Sequence, residues 1–133
     1  MAKEAAPPFH LKSVDQISWA VKDVDKTVEA WSAVFGIGPW KFVENSGLDG
    51  KGQPWKTREA YTHIGKIEIE LVQCVEGRIP QSSFLDTRGE GLHHIGFLVD
   101  DVDVTVEDLV SKGAKSLVPF PGYFAYMDAG RPG

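Results

Sequence analysis

The sequence predicts an α+β fold made of two βαβββ modules whose strands form an open, curved mixed sheet around a central cleft. Three observations support this prediction: an internal repeat, a period of two at the start of each copy, and a helical period after it. Residues 15–29 match residues 93–107 at eight of fifteen positions when the sequence is shifted by 78 residues. So long a period is typical of a duplicated module rather than of a solenoid.

Each copy of the repeat predicts a strand followed by a helix. Apolar residues first alternate with smaller or polar ones, the period of a strand with one buried face. Asp23 and Asp101 are then suited to cap a helix, in which apolar residues recur at helical spacing until Gly113 ends the second helix. The predicted buried residues are Ile17, Trp19, Val21, Val24, Val28, Trp31 and Phe35 in the first copy, and Ile95, Phe97, Val99, Val102, Val106 and Leu109 in the second.

The remaining segments complete the two modules unequally. In the first module (13–74), a strand over 38–45 and a glycine-rich loop over 46–54 precede two strands joined at Gly65 and Lys66. Residues 1–12 are predicted to be a flexible tail, and 75–92 a linker. The second module (93–133) has two further strands, "KSLVPF" and "YFAYMDA". Its last strand is absent from the sequence.

Composition narrows the class of protein. Apolar residues make up 42% of the chain and charged residues 25%, as in soluble globular domains. The net charge of -5 and the lack of a basic, aromatic cluster argue against nucleic acid as a partner. No apolar segment approaches the roughly 20 residues that span a bilayer, and Cys74 has no second cysteine to pair with. We therefore expect a cytoplasmic protein that binds neither nucleic acid nor membrane.

Strand parity separates two adjacent histidines. His93 shares its predicted face with Ile95, the side that packs on a helix, whereas His94 points the other way. Gln16, the repeat partner of His94, and Glu70 also avoid the helix-packed side. An amide, a carboxylate and an imidazole that converge in a cleft would suit a divalent metal such as Co²⁺, Mn²⁺, Ni²⁺ or Zn²⁺. The alternative is that His94 is an ordinary, partly buried histidine and that Glu70 is a solvated glutamate.

The segments "DQISWAVKDVDKTVEAW", "KIEIELVQ" and "FLDTRGEGLHHIGFLVDDVD" resemble the vicinal oxygen chelate (glyoxalase/bleomycin resistance) superfamily, and within it the methylmalonyl-CoA epimerases. The resemblance covers residues 13–130 and implies two modules around a divalent metal ion. It makes Glu70 and His94 metal ligands, and it places Gln16 where most members have histidine. The usual fourth ligand, a glutamate in the last strand, has no counterpart in this sequence.

The resemblance also implies a reaction. A metal-dependent epimerase would move a proton at the carbon next to the thioester carbonyl of an acyl-CoA, with Glu59 as one base. Parity leaves the face of Glu59 open, because Trp55 and Tyr61 share it. The alternatives are a glyoxalase I-like lactoylglutathione lyase that acts on a thiol adduct, and a metal-free drug-binding protein of the same fold. Because members of this superfamily commonly form dimers, the resemblance also implies a homodimer.

Aromatic residues outside the predicted core supply a stacking surface for a small-molecule substrate. Trp19 and Trp31 are among the residues predicted to be buried, and core packing is the simpler role for them. The predicted substrate-binding residues are Trp40, Trp55, Tyr123 and Tyr126.

Overall fold

The computed structural model describes residues 11–130. The predicted tail therefore lies almost entirely outside the described residues. Contacts within the chain divide it between Phe97 and Leu98 into two compact units, and each unit is described by itself. Within residues 11–130, none of the helices has the length and apolar character that crossing a membrane requires.

The elements of the first unit are β1 (Gln16–Ala20), α1 (Val24–Phe35), β2 (Lys41–Leu48), β3 (Pro54–Ile64), β4 (Ile67–Glu76), α2 (Pro80–Arg88) and β5 (Gly91–Gly96). Its strands form a five-stranded mixed sheet with the order β2-β3-β4-β1-β5. Strand β1 runs parallel to β4, and the other neighbouring strands pair antiparallel. The predicted α+β class and the open mixed sheet are confirmed.

The core of this unit lies between helix α1 and one face of the sheet. Val24 and Leu71 are fully buried, and Trp19 meets Trp31 edge to face with ring centroids 5.1 Å apart. Helix α1 begins where the Asp23 carboxylate accepts a hydrogen bond from the Lys26 backbone N–H. The predicted burial of Phe35 is wrong, since this residue is 67% exposed. That residue lies in the last turn, directly before the glycine that ends the helix.

Ile95 is also more exposed than the alternation predicts. It was expected on a buried face, but it is 49% exposed. The reason is that β5 is an edge strand of the five-stranded sheet. A residue on an edge strand has a neighbouring strand on one side only and is covered less completely than a residue on a central strand.

Two connections differ from the sequence predictions. Strand β2 continues to Leu48, so the predicted loop over 46–54 is shorter, and the Asp49 carboxylate closes it by accepting hydrogen bonds from two backbone N–H groups. The predicted linker contains helix α2. This helix starts at Pro80, a residue suited to the first helical turn, and it buries Gln81 and Ser82. Because its buried residues are polar, no apolar period revealed it.

The second unit consists of helix α3 (Val102–Ser111) and the antiparallel strands β6 (Lys115–Phe120) and β7 (Phe124–Asp128). The Asp101 carboxylate accepts a hydrogen bond from the Val104 backbone N–H, as that of Asp23 does at the start of α1. Both predicted helix caps are therefore present at equivalent positions of the repeat. The first strand of the second copy, β5, pairs with β1 of the first unit.

Candidate functional site

Three of the predicted site residues lie on adjacent strands in the middle and at one edge of the sheet. Gln16 is on β1, Glu70 on β4 and His94 on β5, and the pairing register sets Ser18 opposite both Glu70 and His94. The His94 Nε2 atom lies 3.2 Å from Gln16 Oε1 and 3.6 Å from Glu70 Oε1. The structure thus brings the amide, the carboxylate and the imidazole together.

The carboxylate of Glu70 is held by two hydroxyl groups. Glu70 is 7% exposed, and its Oε1 accepts a hydrogen bond of 2.6 Å from the fully buried Ser18. Its Oε2 accepts one of 2.7 Å from the Tyr61 hydroxyl. Burial and the charge of Glu70 raise the pKa of Tyr61, so this hydroxyl keeps its proton and donates. Sequence reasoning missed both donors, although strand parity places Ser18 on the same face of β1 as Gln16.

The orientation of the Gln16 amide is also fixed. Its Nε2 donates a hydrogen bond of 2.8 Å to Glu68 Oε1, which leaves Oε1 facing His94. Gly96 lies opposite Gln16 in the sheet, and a Cβ atom there would lie 3.0 Å from Gln16 Oε1. The absence of a side chain at this position leaves room for the amide.

A Gly96→Ala substitution is expected to weaken divalent metal binding about tenfold, within the range that displaced supporting groups cost a metal site. The added methyl group would push the Gln16 amide away from His94. Isothermal titration with Co²⁺ measures the effect. Gly50→Ala is the matched control, since a Cβ atom there meets nothing within 4 Å. Equal affinities for both variants and the parent protein would contradict the role given to Gln16.

The two histidines are both neutral near pH 7. Burial lowers the pKa of His94 to about 4. Burial and the neighbouring His94 lower the pKa of His93 to about 4 as well. A histidine binds a metal through a neutral imidazole ring, so the charge of His94 at neutral pH is compatible with metal binding.

These shifts predict that the metal-free fold is sensitive to acid. The folded state binds fewer protons than the unfolded state between about pH 6.5 and pH 4, so stability present above pH 6.5 is lost as the pH falls. We expect the free energy of unfolding in EDTA to drop by on the order of 2 kcal/mol between pH 7.5 and pH 5. Urea titrations at the two pH values measure it. His93→Asn should reduce the drop, and an unchanged drop in that variant would contradict the assignment.

Glu59 lies on the same side of β3 as Tyr61, two residues away. Because the Tyr61 hydroxyl contacts Glu70, this side of the strand is the site face, and the open question of parity is resolved. Burial, followed by the charge of Glu70, raises the pKa of Glu59. Asn45 donates a hydrogen bond to its carboxylate. A carboxylate with a raised pKa is a better proton acceptor at neutral pH.

A divalent metal fits this donor set. Two donors that each lie about 2.0–2.2 Å from one Zn²⁺ ion are about 3 to 3.5 Å apart, close to the separations found around His94 Nε2. Among residues 11–130, no three His, Cys, Asp or Glu side chains form a group that could hold a metal ion. A metal ion held by Glu70 and His94 would therefore need the amide oxygen of Gln16 as its third donor. Oxygen and nitrogen donors of this kind suit first-row divalent ions.

A groove of about 630 Å³ is lined in part by Tyr61 and Glu68. These two residues hydrogen-bond to Glu70 and Gln16 respectively, whereas Gln16, Glu70 and His94 are not among its lining residues. Trp40, one of the predicted substrate-binding residues, lines the groove as well, and its indole N–H donates to the Ile37 carbonyl oxygen.

Of the other predicted substrate-binding residues, only Trp55 belongs to the first unit. Trp55 is on β3, and its ring passes over Gly47 of β2, where an added Cβ would lie 2.8 Å from the Trp55 Cζ2 atom. Tyr123 and Tyr126 belong to the second unit. Tyr123 is 84% exposed, and the ring of Tyr126 lies 5.7 Å from that of Phe124. A role of these three residues in binding substrate remains a prediction.

This fold is that of a known superfamily. Residues 15–130 match the model of the Glyoxalase/Bleomycin resistance protein/Dioxygenase superfamily, and the chain belongs to this superfamily. The resemblance inferred from the sequence is confirmed.

Individual relatives include proteins of known and unknown activity. The chain is 29% identical over 111 residues to the uncharacterized protein YqjC of Bacillus subtilis, covering 84% of this chain and 74% of that protein. It is 25% identical over 116 residues to the mitochondrial methylmalonyl-CoA epimerase of Mus musculus, covering 86% of this chain. The chain spans only 61% of the length of the mouse protein.

Solved structures of methylmalonyl-CoA epimerases are also similar to this chain. A methylmalonyl-CoA epimerase of Streptomyces coelicolor in complex with 2-nitronate-propionyl-CoA is 28% identical, with a TM-score of 0.61 over 82% of this chain and 75% of that one. The methylmalonyl-CoA epimerase of Mycobacterium tuberculosis has a TM-score of 0.62 at 21% identity, over 86% of this chain and 73% of that one. At this lower identity, the second similarity shows the fold alone.

Proposed function

We propose that the protein is a divalent-metal-dependent epimerase of an acyl-CoA such as methylmalonyl-CoA. The observation that carries the proposal is the convergence of Gln16 Oε1, Glu70 Oε1 and His94 Nε2 on the sheet face that also carries Glu59. The similarity to the Streptomyces coelicolor epimerase, whose structure contains a propionyl-CoA derivative, supports the choice of substrate class. We also propose that the ion is Co²⁺, Mn²⁺, Ni²⁺ or Zn²⁺ and that the protein acts as a homodimer.

Gln16, Glu70 and His94 would hold the metal. When bound, a divalent cation polarises a substrate carbonyl and stabilises negative charge that develops beside it. The chain itself contributes the fixed geometry of the donors. Ser18 and Tyr61 hold the Glu70 carboxylate, and Glu68 holds the Gln16 amide, so that little reorganisation is needed on binding.

Glu59 would act as the base. Its ionised carboxylate takes the proton from the carbon next to the thioester carbonyl, and the electron pair of the broken C–H bond stays with the substrate. Asn45 orients the carboxylate by donating a hydrogen bond to it. Inversion also needs a second acid on the opposite face of the substrate, and the family resemblance assigns that role to the last strand of the second module.

The direct test is hydrogen exchange at the substrate. The purified protein is incubated with methylmalonyl-CoA in deuterated water, with Co²⁺ or with EDTA, and deuterium at the α-carbon is followed by mass spectrometry. We expect incorporation above the uncatalysed rate only with Co²⁺. If incorporation with Co²⁺ stays at the rate measured without protein, the proposed activity is rejected.

A further inference from the structure

The two adjacent histidines contact each other through equivalent ring atoms. His93 Nδ1 lies 2.9 Å from His94 Nδ1, although neighbouring residues of a regular strand point to opposite faces. The cause is an irregularity in the pairing of β1 with β5. Ser18 pairs with His94, but Trp19 pairs with Leu92, which leaves His93 as an extra residue. Such a bulge re-aims a side chain, and here it directs His93 towards His94 rather than away from it.

Only one proton can lie between these two Nδ1 atoms, so one ring donates and the other accepts. A contact between His94 and Gln16 indicates which ring donates in the metal-free protein. The Gln16 amide is oriented by Glu68, so its Oε1 faces His94 Nε2 at 3.2 Å, and an amide oxygen can only accept. His94 Nε2 therefore carries its proton, and a neutral His94 has an Nδ1 that accepts from His93 Nδ1.

Metal binding demands the opposite arrangement. A metal at His94 Nε2 needs the lone pair of that atom, so the proton of His94 must be on Nδ1. The Nδ1 of His93 must then accept. We propose that His93 is a positioning residue that exchanges tautomers with His94, so that His94 Nε2 is deprotonated when a metal binds. This inference rests on the proposed function, since it assumes that His94 is a ligand.

The protons balance in this exchange. The proton on His93 Nδ1 crosses the 2.9 Å contact to His94 Nδ1, while the proton of His94 Nε2 leaves and His93 Nε2 takes one up from solvent. Each ring is neutral with one N–H group before and after. In the metal-bound form His94 Nδ1–H donates to His93, the kind of outer contact that fixes a ligating histidine.

Helix α2 holds His93 in place for this role. The Phe84 ring meets the His93 ring edge to face, with centroids 5.3 Å apart and the planes at 90°. The guanidinium group of Arg88 lies over the Phe84 ring, 5.9 Å from its centroid. The helix in the predicted linker thus supports the outer partner of the candidate ligand.

The tautomers can be read directly by NMR. The full chain is labelled with ¹⁵N-histidine, and long-range ¹H–¹⁵N spectra are recorded in EDTA and with Zn²⁺. In EDTA we expect the proton on Nε2 of His94 and on Nδ1 of His93; with Zn²⁺ we expect it on Nδ1 of His94 and on Nε2 of His93. If Zn²⁺ ligates His94 but His93 keeps its Nδ1 proton, the exchange is overturned alone. If Zn²⁺ leaves His94 unchanged, the proposed metal site fails, and the exchange with it.

A pair of variants separates the hydrogen bond from simple packing. His93→Phe keeps a ring against Phe84 but removes Nδ1, and we expect its Zn²⁺ affinity to fall about 10- to 100-fold. His93→Asn keeps a polar group near the Nδ1 position, and we expect it to recover most of the affinity. Isothermal titration measures both, with circular dichroism to verify folding. A His93→Phe protein that binds Zn²⁺ as tightly as the parent would overturn the proposal.

Discussion

A Glu70→Gln protein is expected to lose at least about 100-fold in affinity for Co²⁺, because loss of even an outer partner costs a metal site 10- to 100-fold. The substitution removes the carboxylate charge next to His94. It also introduces an amide NH₂ group, and at least one of the hydroxyl donors Ser18 and Tyr61 would then face a donor instead of an acceptor. Isothermal titration with Co²⁺ measures the loss.

The matched control is Glu76→Gln. Glu76 is on the same strand, but its side chain is 49% exposed and forms an ion pair with Lys56 at 3.8 Å. This substitution changes the net charge by the same amount without altering the site, so Co²⁺ affinity should stay at the parent value. Equal losses in the two variants would show that overall charge, and not a bond from Glu70, governs binding.

A Glu59→Gln protein is expected to bind Co²⁺ normally and yet to incorporate deuterium into methylmalonyl-CoA about 10²- to 10⁴-fold more slowly, the usual contribution of a general base. The amide is similar in shape and can still accept a hydrogen bond from Asn45. It cannot accept a proton from carbon. Exchange measured by mass spectrometry gives the rate, and calorimetry gives the affinity.

The combination of the two measurements identifies the role of this residue. Loss of exchange with normal Co²⁺ affinity supports proton transfer by Glu59. Loss of both would place Glu59 among the groups that hold the metal, as predicted for Glu70. Exchange at the parent rate would remove Glu59 from the reaction, and the base would have to be sought elsewhere on the chain.

Local patterns were enough to predict much of the fold. The repeat at a shift of 78 residues predicted two strand-helix units, and the carboxylates of Asp23 and Asp101 cap both helices as expected. Strand parity placed Gln16, Glu70 and His94 on one face, and the structure brings these side chains within hydrogen-bonding or ion-pair distance. These features depend on residues close in sequence or on a period of two, which a single sequence displays.

Other features could not be predicted in this way. The polar helix α2 carries no apolar period, although it supports His93 through Phe84. The exposure of Ile95 depends on β5 being an edge strand. Ser18 looked like a neutral spacer in an alternating strand, but it is fully buried against Glu70. Each of these depends on the element that lies alongside, which local sequence does not specify.

The sequence by itself therefore predicted which residues could carry the chemistry: an amide, a carboxylate and an imidazole on faces set by strand parity, and a second carboxylate, Glu59, whose face parity left open. Only the tertiary structure decided how those groups are oriented. The pairing of β1 with β4 brought Glu68 to the Gln16 amide, and the bulge in β5 turned His93 towards His94. The physical reason is that both orientations depend on which strands pair, and the strands that pair with β1 lie about 50 or more residues away along the chain.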